Sequence, residues 1–187
     1  ERRQRTDNSP SGRLHEAFAA AAFQAHPYGL PVIGWPSDLD GLSKARTEAF
    51  FQTYYHPANA SLTLAGDIET NRAFDLAERY FGELTPGPRP APVRAAAGLS
   101  SEVRLLLEDR VEMPRLYMAW LSPAMYADGD AELDLLGDLL ANGKTSRLYR
   151  TLVYERRVAL DVSAYQSSRE LGGFFGLVAT AAQGQSL

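Results

Sequence analysis

The chain has 187 residues, 45 % of them hydrophobic, which is enough for one large domain or two small ones with a buried core. Its net charge is −4 with acids and bases interspersed, which argues against nucleic acid or an anionic membrane as partner, and it has no run of about 20 apolar residues to cross a bilayer. The absence of cysteine excludes disulfides and thiolate metal sites but leaves the compartment open.

The chain opens with Glu1-Arg2-Arg3-Gln4-Arg5, has no initiator Met, and stops just after an apolar run. Both ends look cut, so the expectation is a fragment. Residues 1–8 are charged and read as the last turns of a helix, interrupted by Ser9-Pro10-Ser11-Gly12. Arg13 to Ala25 is rich in Ala and reads as a helix. A loop punctuated by Pro and Gly follows, "HPYGLPVIGWPSDLDGL". Ser43 is placed to cap a helix to about Tyr54, with Ala45, Ala49, Phe50 and Thr53 on one side. "ASLTLAGD" reads as a short buried strand. Thr70 then caps a helix to Tyr80, with Phe74, Ala77 and Phe81 on one face.

"TPGPRPAPVRAAAG" carries four of the eleven prolines and reads as a linker. "EVRLLLED" and "RLYMAWLS" read as strands on either side of Pro114. Ala131–Ala141 and Ser146–Glu155 read as helices. "LDVSAYQ" and "GFFGLVATAA" read as strands, the second fully buried. Strands grouped beside helices give an α+β fold with an antiparallel or mixed sheet flanked by helices.

"GDLLANGKTSR" ends like a phosphate-binding loop. Such a loop needs a strand, then Gly, four residues and Gly-Lys-Ser/Thr. Here five residues separate Gly137 from Gly143, and the preceding Leu133, Leu136 and Leu140 have helical spacing. Gly143 therefore reads as the left-handed residue that ends a helix, with Thr145 or Ser146 capping the next one, and no nucleotide is expected there.

The three histidines are His15, His26 and His56. His15-Glu16 has no second His three or four residues away, so the chain carries no zinc helix of the His-Glu-x-x-His or inverted type. His26 and His56 each precede a proline and read as hydrogen-bonded surface residues of loops. Asp38 and Asp40 read as solvated turn carboxylates. No Gly-x-Ser-x-Gly elbow offers a nucleophile.

Five stretches, in this order and spacing, carry a family likeness: "ERRQRTDNSPSGRLHEAF", "AHPYGLPVIGWPSDLDGLS", "FFQTYYHPANASLTLAGDIE", "AERYFGEL" and "NGKTSRLYRTLVYERRVALDVSA". Together they resemble the insulinase/pitrilysin class of zinc peptidases, the inverted zincins that include the mitochondrial processing peptidase. The resemblance implies a pair of related α+β domains. Residues 1–85 would be the end of the first, 86–100 the linker, and 101–187 most of the second, non-catalytic one. The family's His-x-x-Glu-His helix, which supplies two zinc ligands and the general base, is absent. A third ligand is a Glu followed by basic residues, which the resemblance places at Glu1 before Arg2-Arg3. One carboxylate does not hold zinc, which needs about three protein ligands, so zinc is expected in the parent and not in this fragment.

Some members of the family work as two half-molecules, one of which offers an Arg and a Tyr from its second domain. Val153 and Leu160 stand at those two positions, and neither can bind a peptide carbonyl. Both are expected to be buried. The resemblance thus implies a fragment of a zinc metalloendopeptidase that acts on peptides with a second peptidase-family half or subunit. The alternative is a non-catalytic structural or substrate-binding subunit of the same family.

Overall fold

The computed structural model describes residues 3–95 and 98–186. They form two compact units: one joins the described residues up to Ile33 with those from Arg94 onward, and the other is Gly34–Val93.

In the first unit, a π-helical turn at Arg3–Asp7 leads into helix α1, Pro10–Ala22. The Ser-Pro-Ser-Gly stretch is therefore not a break before the helix. It is the helix's own start: the Ser9 side chain accepts from the Gly12 N–H at 3.2 Å, and Pro10 occupies the first turn, where its missing N–H has no intrahelical partner to lose.

The sheet has three antiparallel strands, β1 Arg115–Ser122, β2 Ala159–Arg169 and β3 Gly172–Ala181. The spatial order is β1-β3-β2. β2 and β3 form a hairpin with Arg169 opposite Gly172. β3 is central, and its apolar run is buried over residues 172–176 but only half-buried over 177–179, so it is not buried throughout. The register puts Arg115, Tyr117, Ala119 and Leu121 of β1 beside Thr180, Val178, Gly176 and Phe174 of β3. On this face α1 packs: the Phe18 ring lies 5.4 Å from Phe174 and 6.2 Å from Tyr117. Phe23, Ala22 and Phe174 are the buried centre of the cluster.

Helix α5, Asp130–Ala141, covers β2 from the opposite face. Gly137 makes this close approach possible, since a Cβ there would lie 3.0 Å from the Ala164 carbonyl oxygen. After α5, Gly143 has φ 85°, the left-handed residue just past the helix. The next helical segment, from Arg147, is π-helical over Tyr149–Glu155. "EVRLLLED" is not a strand. It runs without a ladder partner among the described residues.

The second unit holds α2, Pro36–Asp40, α3, Lys44–Tyr54, and α4, Thr70–Phe81. Ser43 caps α3, accepting from the Arg46 N–H at 3.3 Å. The cap of α4 is Glu69 and not Thr70. Its carboxylate accepts from the Asn71 N–H at 3.0 Å and the Arg72 N–H at 2.6 Å, and a negative charge suits a helix N-terminus.

The stretch read as a buried strand, "ASLTLAGD", forms no ladder among the described residues and is exposed. Leu62, Leu64 and Ile68 instead line an open apolar groove of about 550 Å³ with Ala73, Leu76, Ala77 and Tyr80. The apolar face of α4 thus runs through Ala73, Leu76, Ala77 and Tyr80. Phe74 lies off it and is exposed. The side of α3 that carries Phe50 is likewise uncovered.

Candidate functional site

The residue that the resemblance singles out as a metal ligand, Glu1, lies outside the described residues. Among the described residues no group of three His, Cys, Asp or Glu side chains is arranged to hold a metal ion.

At the Gly-Lys-Thr turn, the Ser146 N–H and hydroxyl both reach the Gly143 carbonyl, at 3.2 and 2.7 Å. Ser146 is buried while Lys144 and Thr145 are exposed. The Ser146 N–H is thus turned to a carbonyl, in keeping with a helix–turn–helix link. Of the two positions compared with the family's Arg and Tyr, Val153 is half-buried. Leu160 is 53 % exposed, against the expectation of burial, because it lies at the irregularity between Ala159 and Asp161 where β2 slips its register on β3.

The two loop histidines are not surface residues. His26 is 4 % exposed and His56 is 8 % exposed. A proline directly after each ring starts a one-turn 3₁₀ helix, and the turn folds the ring inward. His26 Nδ1 accepts from the Tyr28 N–H at 3.1 Å, while its Nε2 is buried without a hydrogen-bond partner. Both ring nitrogens of His56 are buried and unpartnered. That ring lies against Gly87, where a Cβ would come within 2.8 Å of it.

Asp38, read as a solvated turn residue, is exposed and accepts from the Trp35 N–H at 3.0 Å. His15 is exposed on α1, its ring 6.5 Å from that of Phe18.

Three polar features escaped the sequence reading. Asp130 is buried and accepts from Gln166 Nε2 at 3.0 Å and from the Tyr126 N–H at 2.8 Å. These bonds, the one from Gln166 foremost, hold its carboxyl below the usual range. A turn Asp just after Gly129 was visible in the sequence, but its partner 36 residues later was not. Next, Thr180 bridges the outer strands: it accepts from Arg115 Nε and donates to Asp161, both at 3.1 Å. Finally, Tyr165 lies across Gly176, 2.9 Å from where a Cβ would sit. Burial, and then the neighbouring Tyr117, push its phenol up. These groups fix the sheet, and none of them is placed as a nucleophile–base pair.

Comparison with known proteins gives the family. The zinc protease PqqE of Helicobacter pylori is 31 % identical over 163 residues, 85 % of this chain and 37 % of that protein. The peptidase M16 inactive domain of Pseudomonas fluorescens has the same fold, with a TM-score of 0.81 at 19 % identity over 95 % of this chain and 43 % of that one. A chain of complex III2 from Candida albicans also shares the fold, with a TM-score of 0.77 at 17 % identity over 95 % of this chain and 44 % of that one. The chain spans about two fifths of the length of the curated relatives it matches. A family model described as the peptidase M16 inactive domain matches residues 41–186, and the likeness read from the five sequence stretches is borne out to this extent: the chain belongs to the peptidase M16 family.

Proposed function

We propose that this chain is a fragment of a zinc-dependent metalloendopeptidase that acts on peptides together with a second peptidase-family half or subunit. The observation that carries the reading is the family match over residues 41–186, joined to relatives that are named zinc proteases. In this reading residues 1–85 close a first peptidase domain, 86–100 link it to the next, and 101–187 form most of the second.

The described donor set does not fit zinc. Three ligands are needed, no such group is present among the described residues, and Glu1 is proposed for one ligand at most. No hydrolytic step is therefore assigned to these residues. Val153 and Leu160 offer no hydrogen-bond donor to a peptide carbonyl, which supports a partner that brings its own.

A second reading, a non-catalytic structural or substrate-binding subunit, is favoured by two findings. The matching model describes an inactive domain, and a complex III2 chain has the same fold. The two readings separate in a natural form of the chain extended upstream of Glu1, assayed for bound zinc and for cleavage of an unfolded peptide. One zinc per chain with chelator-sensitive cleavage supports the peptidase. A folded chain without either, which copurifies with a second family subunit, supports the partner role. A folded chain with none of these properties refutes both.

A further inference from the structure

The turn His26-Pro27-Tyr28-Gly29 joins the end of α1 to the tip of the β2–β3 hairpin. The Tyr28 hydroxyl accepts from the Leu171 N–H at 3.0 Å. The Arg169 guanidinium lies 5.1 Å over the Tyr28 ring, a cation–π distance. Phe23 at the helix end packs edge-on against Tyr28 at 5.7 Å and against Phe174 at 6.2 Å. His26 sits inside this cluster, 5.3 Å from Phe23 and 4.8 Å from Tyr28 between ring centres.

The hydrogen bonding of His26 admits one protonation state. Nδ1 accepts from the Tyr28 N–H, so in this geometry the imidazole is neutral with its proton on Nε2. A second proton would have to go on Nδ1, where it would point at the Tyr28 N–H. The resulting cation would be buried with two ring N–H groups and no acceptor for either: Nε2 has none already in the neutral ring, and Nδ1 would face the Tyr28 N–H donor, which is costly. Of the ionisable groups on the elements packed against it, Tyr28 brings a neutral phenol, the hairpin brings the positive Arg169 and the exposed Glu170, and α1 brings Arg13, His15 and Glu16; none of them hydrogen-bonds to Nε2. A protonated ring therefore has to turn out toward water and take the Tyr28 backbone with it.

We propose that His26 makes this turn a pH-sensitive latch, which holds the β2–β3 tip to α1 while the imidazole is neutral and releases it on protonation. The direction follows from the geometry: the latch is closed in the neutral state, in which Nδ1 accepts from the Tyr28 N–H, and opens toward acid. Release is local. It frees the Leu171 N–H and the Arg169 guanidinium and leaves the ladder between β2 and β3 paired.

The test is amide hydrogen exchange of Leu171 in the 187-residue chain at pH 8 and pH 5, each corrected for the intrinsic exchange rate. The expected result is a fall in protection of tenfold or more at pH 5, and a change below twofold in His26→Phe. A flat profile in the parent chain, or an equal fall in His26→Phe, overturns the proposal. Tyr28→Phe gives a second arm should His26→Phe not fold. Without its acceptor, Leu171 starts poorly protected and loses less than twofold with pH; a persisting tenfold fall there overturns the latch.

Discussion

Truncating Phe174 to Ala removes the ring on which the first unit closes. Phe174 is 6 % exposed and meets Phe18, Phe23 and Tyr165 at 5.4, 6.2 and 5.9 Å, all near edge-on. Loss of a buried Phe costs about 3–5 kcal/mol, and three aromatic contacts of roughly 0.5–1.5 kcal/mol each beyond their area put this site toward the upper end. With a urea slope of about 2 kcal/mol per M, a loss of about 4 kcal/mol lowers the midpoint by about 2 M. The assay is urea unfolding followed by Trp120 fluorescence in a Trp35→Phe background, because Trp120 lies on β1 in the same unit. Phe175→Ala is the control. That side chain is as buried but faces away from α1, with Trp120 at 6.5 Å, and it should cost less. A Phe174→Ala shift below about 0.5 M, or one smaller than that of Phe175→Ala, would refute the reasoning that the α1–sheet aromatic cluster is the main core.

The carboxyl of Asp130 is held below its ordinary value, so its contribution to stability is present above about pH 4, the unfolded range, and fades as pH falls through the folded value. Asp130→Asn should flatten the acid side of a plot of urea midpoint against pH while leaving its slope above pH 6 unchanged. An Ala Cβ at Gly173 would lie 2.6 Å from the Ser167 carbonyl oxygen and 2.9 Å from Ser122 Oγ. Overpacking between two strands costs about 1–3 kcal/mol, so Gly173→Ala should lower the midpoint clearly, read in the same titration. Arg157 is an exposed residue at φ 55°. Left-handed backbone costs a non-glycine residue roughly 1–2 kcal/mol, partly offset by the greater unfolded freedom of Gly. Arg157→Gly should therefore raise stability by about 0.5 kcal/mol, and a loss would show that the guanidinium has an unrecognised partner.

The α+β class, the three strands from Arg115 onward and most helices were legible because their signals are local. Alternation marks β1, an apolar run marks central β3, and Ser43 before Lys44 is a cap whose donor, the Arg46 N–H, lies within one turn. Caps were misread where a neighbour of longer reach competes, as Glu69 does with Thr70. The histidines were misread for a different reason. Their burial is decided by what the following Pro-led turn folds onto: the Phe23 and Tyr28 rings for His26, and Gly87 some thirty residues later for His56. Spacing around a single His carries none of that. A metal ligand was suggested only by family likeness, and the one position it supplies, Glu1, is a single carboxylate with no local pattern to complete it and lies outside the described residues.

The two segments that should have been strands and are not, "ASLTLAGD" and "EVRLLLED", make the same physical point. Each has the composition of a strand, and Leu62 and Leu64 alternate as a strand requires. Composition and alternation describe how a segment would lie in a sheet; they do not supply the sheet. An extended segment has no hydrogen bonds of its own and gains them only from neighbours, whereas α3 and α4 close their ladders internally and form without such help. This is why the second unit keeps its helices and leaves Leu62, Leu64 and Ile68 facing the apolar side of α4 across an open groove. The exposed Leu105 and Leu106 repeat the pattern in the first unit. A segment that is apolar, extended and unpaired beside fully formed helices has the composition of a strand without the neighbour that would make it one.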